Sequence, residues 1–130
     1  MSQYLINITP EQMSFNSILL IEFKYVNSKL EVILAVDEER LCCKVSFYWV
    51  HSLRMTDEGD LLKTLGEGFF QGPGIFIVKN SSYHEWFNTQ SCGIHECEEI
   101  KHYCLVTANE VVEVLASIEP EVIVIEKENQ

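Results

Sequence analysis

The chain has 130 residues, of which 47% are hydrophobic and 22% are charged, and its formal net charge is −11. This length and composition suit a chain that folds around one hydrophobic core, so we expect a single globular domain spanning residues 1–130. The excess of negative charge repels phosphate backbones and anionic lipids, which argues against direct binding to nucleic acid or to membranes. The same charge favours encounters with basic protein surfaces.

The sequence also predicts a compartment. Residues 1–12 lack the basic start, apolar run and cleavage site of a secretory signal, and no apolar stretch has the length of a membrane span. We therefore expect a cytoplasmic protein, in which reducing conditions keep the cysteines as free thiols. The five cysteines are Cys42, Cys43, Cys92, Cys97 and Cys104.

The N-terminal half carries the alternation of apolar and polar residues that is typical of half-buried strands. Three runs show it, Ile18–Val26, Leu30–Val36 and Leu41–Leu53, and short polar segments at 27–29 and 37–40 separate them. This order predicts an antiparallel meander. The residues expected to face its core are Leu19, Ile21, Phe23, Tyr25, Leu30, Val32, Leu34, Val36, Cys43, Val45, Phe47 and Trp49.

The second half carries helix signals. Thr56–Leu65 offers a threonine cap followed by acidic residues, which favours a short helix. Ser82–Glu85 and Thr107–Glu110 both fit the capping box and should each open a helix. The helix after Thr107 would bury a stripe and end before Pro120. The residues of that stripe are Val111, Val112, Val114, Leu115 and Ile118.

Strands are expected between these helices, at Ile75–Val78, Ile100–Val106 and Val122–Ile125. The predicted fold is therefore α+β, with an antiparallel β-meander in the N-terminal half followed by alternating helices and strands. We expect a single mixed sheet packed with helices.

A run of thiols and imidazoles in the last third of the chain is a candidate metal site, since zinc prefers such ligands. Its members are Cys92, His95, Cys97, His102 and Cys104. The spacing, C-x-x-H-x-C followed by H-x-C, matches no standard zinc pattern, and free cysteine is most often a small buried hydrophobe. We therefore predict no metal ligand and no cofactor, and keep a metal-binding or small enzyme domain built on this cluster as the alternative.

Catalytic patterns are weak. Two of the four histidines, His51, His84, His95 and His102, could form a ribonuclease-type acid and base pair. Acidic neighbours of His84 and His95 oppose an RNA phosphate, however. The glycine-rich segment 66–74 lacks the lysine of a phosphate-binding loop, and no nucleophile elbow is present. We predict no catalytic residue and expect that the chain is not an enzyme.

Acidic clusters recur along the chain. Their common interpretation is a solvated turn, and acidity that only maintains solubility would fit a structural or adaptor subunit. Their functional interpretation is a carboxylate surface that meets a partner rich in lysine and arginine, with an aromatic anchor beside it. The predicted partner-binding residues are Asp37, Glu38, Glu39, Asp57, Glu58, Asp60, Trp86, Glu96, Glu98 and Glu99.

Two segments, TDEGDLLKTL (Thr56–Leu65) and IKHYCLVTANEVVEVLA (Ile100–Ala116), together with small size and acidity, give the chain a resemblance to a known group. It resembles the small acidic immunity proteins that bacteria encode beside toxins of contact-dependent growth inhibition and related polymorphic systems. The resemblance implies a protein that binds and neutralises a cognate toxin domain, often a nuclease, by covering its active site or a nearby surface. The acidic clusters would then face the basic surface of the toxin.

Overall fold

The computed structural model describes residues 2–13, 17–36, 40–61, 68–70 and 72–126. These residues form nine strands, one α-helix, and single 3-10 turns at Glu11–Met13 and Glu58–Asp60. The strands are β1 Tyr4–Asn7, β2 Ile18–Val26, β3 Lys29–Val36, β4 Leu41–Phe47, β5 Val50–Asp57, β6 Gly74–Lys79, β7 Lys101–Val106, β8 Glu110–Ala116 and β9 Glu121–Glu126. The helix is α1, Ser82–Gln90. Among the described residues, no helix is long and apolar enough to cross a membrane.

The strands make two sheets, not one. One sheet has the order β1-β6-β7-β8-β5 and the other the order β2-β3-β4-β9, and every pair of neighbours is antiparallel. The predicted meander is confirmed as β2-β3-β4. The expected single mixed sheet is wrong, and the chain is richer in strands and poorer in helices than the α+β prediction.

The main core lies where the two sheets face each other. Leu30, Val32, Leu34 and Val36 of β3 are all buried there, as the alternation predicted. Phe47 of β4 meets Tyr103 of β7 edge-on, with ring centroids 5.5 Å apart. The five-stranded sheet supplies Ile75, Tyr103, Leu105, Val112, Val114 and Ala116 to this layer.

The five-stranded sheet is also covered on its opposite face. Tyr83 and Phe87 of α1 pack there on Ile100 and Leu115. A second cluster covers the remainder of the face, with the members Leu5, Leu61, Phe69, Phe70, Phe76, Val78, Cys104, Val106 and Val111. Because β7 and β8 are buried on both faces, their sequences are continuous apolar runs and do not alternate.

Strand β2 departs from the predicted pattern. The register between β2 and β3 shifts between Leu20 and Glu22, so the strand bulges at Ile21. A bulge changes the face to which the following side chains point. Ahead of the bulge Ile18 and Leu20 pack on the core, and beyond it Phe23 does, so no single alternation fits the strand. Leu19 and Ile21, which were predicted to be inside, are exposed, and so is Tyr25.

The run predicted as one strand, Leu41–Leu53, is divided between the two sheets. The chain turns at Tyr48 and Trp49, where Trp49 has a positive φ of 56°. The backbone N–H of Val50 then donates to the carbonyl of Ser28 at 2.8 Å, which joins this turn to the turn between β2 and β3. Trp49 lies on this turn with 70% of its surface exposed, so its predicted place in the core is wrong.

The helix predicted after Thr107 is a strand, β8. Only one of the two expected capping-box hydrogen bonds is formed, from the N–H of Glu110 to the hydroxyl of Thr107 at 3.0 Å. The hydroxyl of Thr107 donates to the Glu110 carboxylate, and the N–H of Thr107 donates to the backbone carbonyl of Glu110 at 2.9 Å. They close the tight turn between β7 and β8 and do not cap a helix. The following residues favour a strand because Val111, Val112 and Val114 are β-branched and both faces of β8 are buried.

The other two helix predictions differ in outcome. The one opened by the box at Ser82–Glu85 is confirmed as α1, although the cap is Ser81, whose hydroxyl accepts from the N–H of His84 at 2.9 Å. Of Thr56–Leu65, the first two residues belong to β5. A single 3-10 turn follows with Asp57 as its cap, and residues 62–65 lie outside the described part of the chain.

Candidate functional site

The predicted acidic residues lie in separate places. Asp57, Glu58 and Asp60 stand at the end of β5, whereas Glu98 lies 4.0 Å from the ring of His51, near the start of the same strand. Asp57 lies six positions along the strand from His51, a span of about 20 Å. These two groups are therefore separate clusters. Asp37, Glu38 and Glu39 lie outside the described residues.

The group near His51 belongs to residues 91–99, which we call the acidic turn segment. It begins where α1 ends, with Cys92 and Gly93 at positive φ values of 52° and 73°. Their N–H groups donate to the carbonyls of Thr89 and Asn88, at 3.2 and 3.0 Å. This pair of bonds is a Schellman cap, which reverses the chain and satisfies the last helix carbonyls.

Successive tight turns continue the acidic turn segment. The N–H of Ile94 donates to the Ser91 carbonyl at 3.2 Å, that of Glu96 to Gly93 at 3.1 Å, and that of Glu98 to His95 at 3.0 Å. These hydrogen bonds fix the backbone, and most of the side chains of the segment are exposed to solvent. Ile94 is 76% exposed, the highest value among the large hydrophobic side chains described as exposed.

The side chains of His95 and Glu98 turn toward β5. Nδ1 of His95 forms a short hydrogen bond with the Glu98 carboxylate, and Nε2 of His51 lies 4.0 Å from the same oxygen. The two imidazole centroids are 4.8 Å apart, and the ring of Phe87 stacks on His95 at 5.6 Å. We call His51, His95 and Glu98 the histidine–glutamate cluster; it joins β5 to the acidic turn segment.

The five residues of the predicted thiol and imidazole site do not come together. His102 and Cys104 are buried within β7, whereas Cys92 and Cys97 are exposed on the acidic turn segment. Of the described residues, the group that could hold a metal ion is the histidine–glutamate cluster, which shares only His95 with the prediction. His51 was missed because nothing in the sequence links it to residues so much later in the chain.

A second polar feature lies under α1. Arg54 of β5 donates to both carboxylate oxygens of Glu113 on β8, and Nε2 of His102 on β7 lies 3.0 Å from Oε1 of Glu113. Nδ1 of His102 lies 2.7 Å from the hydroxyl of Ser81. We call these four residues the buried polar chain. Sequence reasoning missed it, although Glu113 is the single charged residue inside the apolar run 111–116 and so signals a partner.

The partners of Glu113 decide its charge. Burial acts to raise the pKa of this carboxyl, but the hydrogen bonds from His102 and Arg54 outweigh burial, so the pKa lies below its ordinary value. The carboxylate is therefore ionised at neutral pH. The guanidinium of Arg54 also stacks on Tyr83, with its carbon 4.1 Å from the ring centroid.

Ser81, His102 and Glu113 are connected in the same order as the serine, histidine and carboxylate of a hydrolase triad. In this chain the serine hydroxyl also holds the start of a helix. The Ser81 hydroxyl caps α1 and its residue is only 6% exposed. A groove of about 250 Å³ beside it is lined by His84, Asn88 and Lys101 among others. Burial, with a smaller contribution from His102, lowers the pKa of His84. The buried polar chain thus fixes the first turn of α1 onto β7 and β8.

Trp86 is the one predicted aromatic anchor. Its ring stacks on Tyr83, with centroids 5.8 Å apart, and the residue is 54% exposed. Tyr83 in turn is held by Arg54 and by a hydrogen bond between its hydroxyl and that of Ser52. One face of the indole is therefore fixed, and the remainder is available to a partner.

The thiols divide by environment, and this gives a prediction. Burial raises the pKa of Cys43 to about 11 and raises that of Cys104 further, whereas Cys92 and Cys97 are exposed. Since the thiolate is the reactive form, we expect Cys92 and Cys97 to react rapidly with Ellman's reagent in the folded protein. Cys43 and Cys104 should react only on unfolding, which mass spectrometry of the labelled peptides would check. Rapid labelling of Cys104 in the folded state would contradict this structure.

Comparison with known proteins identifies no relative. No family model, no curated protein and no solved structure matches the chain. The functional argument therefore depends on the residues and their geometry.

Proposed function

We propose that the protein is an immunity protein that binds a cognate bacterial toxin domain, a nuclease with a basic surface, and neutralises it. The observation that carries the proposal is the acidic turn segment, where the exposed side chain of Ile94 stands among the exposed carboxylates of Glu96 and Glu99. We expect the protein to act in the cytoplasm, where its exposed thiols stay reduced.

The segment has the features of a binding hot spot. Hot spots combine a central apolar or aromatic anchor with a polar rim, and Ile94 and, on the preceding helix, Trp86 are exposed side chains of this kind. The turn hydrogen bonds hold the backbone of residues 91–98 before any partner arrives. A surface that is already ordered loses less conformational entropy on binding, which favours affinity.

The charges select the class of partner. Glu96 and Glu99 form no ion pair with any other described residue, so their carboxylates are free to accept hydrogen bonds from lysine or arginine. A nuclease presents such cations because its substrate is a polyanion. Carboxylates placed there take the position of the substrate phosphates, and an inhibitor of this kind needs no catalytic residue.

The first experiment identifies the partner and measures its activity. The full chain, tagged, captures binding proteins from its source organism at low and moderate salt, and mass spectrometry identifies them. The captured domain is then purified and its nuclease activity measured with and without the protein. We expect inhibition to be complete at one chain per toxin domain. Full nuclease activity in the saturated complex, or no stoichiometric partner at either salt concentration, would contradict the proposal.

Substitutions then locate the surface. Ile94→Ala should weaken binding by about 2 kcal/mol, mainly through faster dissociation, because a central anchor is lost. Glu96→Gln together with Glu99→Gln should slow association and reduce its dependence on salt. The matched control is Asp57→Asn with Glu58→Gln, which removes two charges at the far end of β5. If the control slowed association as much as the test pair, the acidic turn segment would not be the binding surface.

A further inference from the structure

We propose that His51, His95 and Glu98, the histidine–glutamate cluster, bind one divalent transition-metal ion of the zinc class. The site shares His95 and Glu98 with the acidic turn segment of the proposed function, but zinc binding is measured without a toxin and so succeeds or fails separately. It joins β5 to the acidic turn segment, where the rings of His51 and His95 already pack together.

The residue types of the cluster suit a zinc ion. Two imidazole nitrogens and one carboxylate oxygen form a ligand set that zinc uses in proteins, with water in the remaining position. The side chains of His51 and His95 are 20% and 26% exposed, and that of Glu98 is 47% exposed. An ion and its water can therefore enter from solvent, while the rings remain partly shielded.

The ligand atoms of the cluster lie near the spacing of a zinc site. One ligand atom from each of the three residues lies within 4.8 Å of the other two. Zinc bonds of about 2.1 Å in a tetrahedral arrangement place neighbouring ligand atoms about 3.4 Å apart. The atoms farthest apart need to approach by up to about 1.4 Å, whereas the hydrogen-bonded atoms of His95 and Glu98 are already closer than the zinc spacing and need to separate. Small rotations of the two imidazoles and of the exposed Glu98 side chain would bring the three atoms to this spacing.

The residues around the cluster hold its side chains in place. The ring of Phe87 lies 5.6 Å from that of His95 and 5.7 Å from that of His51, so one aromatic side chain orients both imidazoles. The hydrogen bond from His95 to Glu98 already brings a nitrogen and a carboxylate oxygen to one point. An ion at that point would replace this hydrogen bond with two metal bonds and add a third from His51.

The test uses the full chain carrying Cys92→Ser and Cys97→Ser, because exposed thiols bind zinc by themselves. The protein is freed of metal with a chelator and titrated with zinc chloride by calorimetry, and with cobalt chloride by visible absorption. We expect one ion per chain. The cobalt complex should show the strong d–d bands of a low-coordinate site and no thiolate charge-transfer band.

Matched variants assign the ligands. Loss of an outer partner of a ligand already costs about 10- to 100-fold in metal affinity, so His51→Gln and Glu98→Gln should each cost about 100-fold or more. His84→Gln and Glu119→Gln, a histidine and a glutamate outside the cluster, should leave the affinity within about twofold of the parent. Zinc should raise the melting temperature of the parent and of these controls, but not that of His51→Gln.

Nuclear magnetic resonance of the parent provides a readout that does not depend on the folding of any variant. Zinc should shift the ring signals of His51 and His95 and leave those of His84 and His102 in place. The proposal is overturned if the parent binds no stoichiometric ion. It is also overturned if His51→Gln and Glu98→Gln bind zinc as tightly as the parent, or if the shifted histidine signals belong to other residues.

Discussion

Glu113→Ala is expected to lower the free energy of unfolding by about 3 to 4 kcal/mol. The carboxylate is buried, with 9% of its residue exposed, and it is the shared acceptor for Arg54 and His102. Its removal leaves a buried imidazole and a half-buried guanidinium without their partner, and such broken buried pairs cost about 3–5 kcal/mol. Arg54 can turn to solvent, which places the value at the lower end of that range. Urea unfolding at pH 7 would measure it.

The control for this variant is Glu119→Ala, which removes an exposed carboxylate just after the same strand and should change stability by less than about 0.5 kcal/mol. The stability difference between the parent and Glu113→Ala should also depend on pH. Because the folded pKa of Glu113 is lowered, its contribution is fully present above the unfolded pKa and is lost as pH falls through the lower, folded pKa. The two unfolding curves should therefore converge in acid. A constant difference down to pH 2, about two units below an unperturbed glutamate, would contradict this account.

Phe47→Ala is expected to lower the free energy of unfolding by about 4 kcal/mol. Phe47 is completely buried between the two sheets and its ring meets Tyr103 edge-on. Large-to-small substitutions of buried phenylalanine cost about 3–5 kcal/mol, because transfer free energy is lost and a cavity remains. The loss would be a large part of the roughly 5–15 kcal/mol that stabilises an ordinary domain. Chemical denaturation with an unchanged m-value would measure it.

Two further variants make the result for Phe47 specific. Phe47→Leu keeps most of the volume and should cost less than about 2 kcal/mol. Trp49→Ala removes a larger ring only two residues away, but this ring is exposed, so the cost should be below about 1 kcal/mol. If Trp49→Ala were as destabilising as Phe47→Ala, the division of this run between two sheets would be wrong.

Much of the N-terminal meander is predictable because its signals are local. In residues 30 to 36 every second side chain from Leu30 onward is buried as predicted, and Ala35 is buried as well. The bulge at Ile21 has no equally local signal, and because of it the inward side chains change from Leu20 before the bulge to Phe23 after it. A one-residue shift in register reverses every side chain that follows, so small errors of this kind have large effects on predicted burial.

The second half is less predictable because tertiary context overrides local signals. Thr107 and Glu110 have the residue types and spacing of a capping box, but their hydrogen bonds close a hairpin turn. The valines of β8 decide the outcome, since both of its faces are covered. The candidate sites divide in the same way. Glu96 and Glu99 can be selected from the run of acidic residues in the sequence alone. The contact between His51 and His95, in contrast, depends on the packing of β5 beside a turn that is distant in sequence.

The position of β9 affects how the chain folds while it is being synthesised. Strand β4 pairs with β9 from Leu41 to Ser46, and the pair Leu41 and Glu126 is among the most distant in sequence. At a translation rate of about 5–20 residues per second, the ribosome needs about 4–16 s to extend the chain from the end of β4 to the end of β9. During this interval the edge of β4 that later meets β9 has no partner, even when the opposite edge is already paired with β3, and an unpaired edge of this kind can template aggregation.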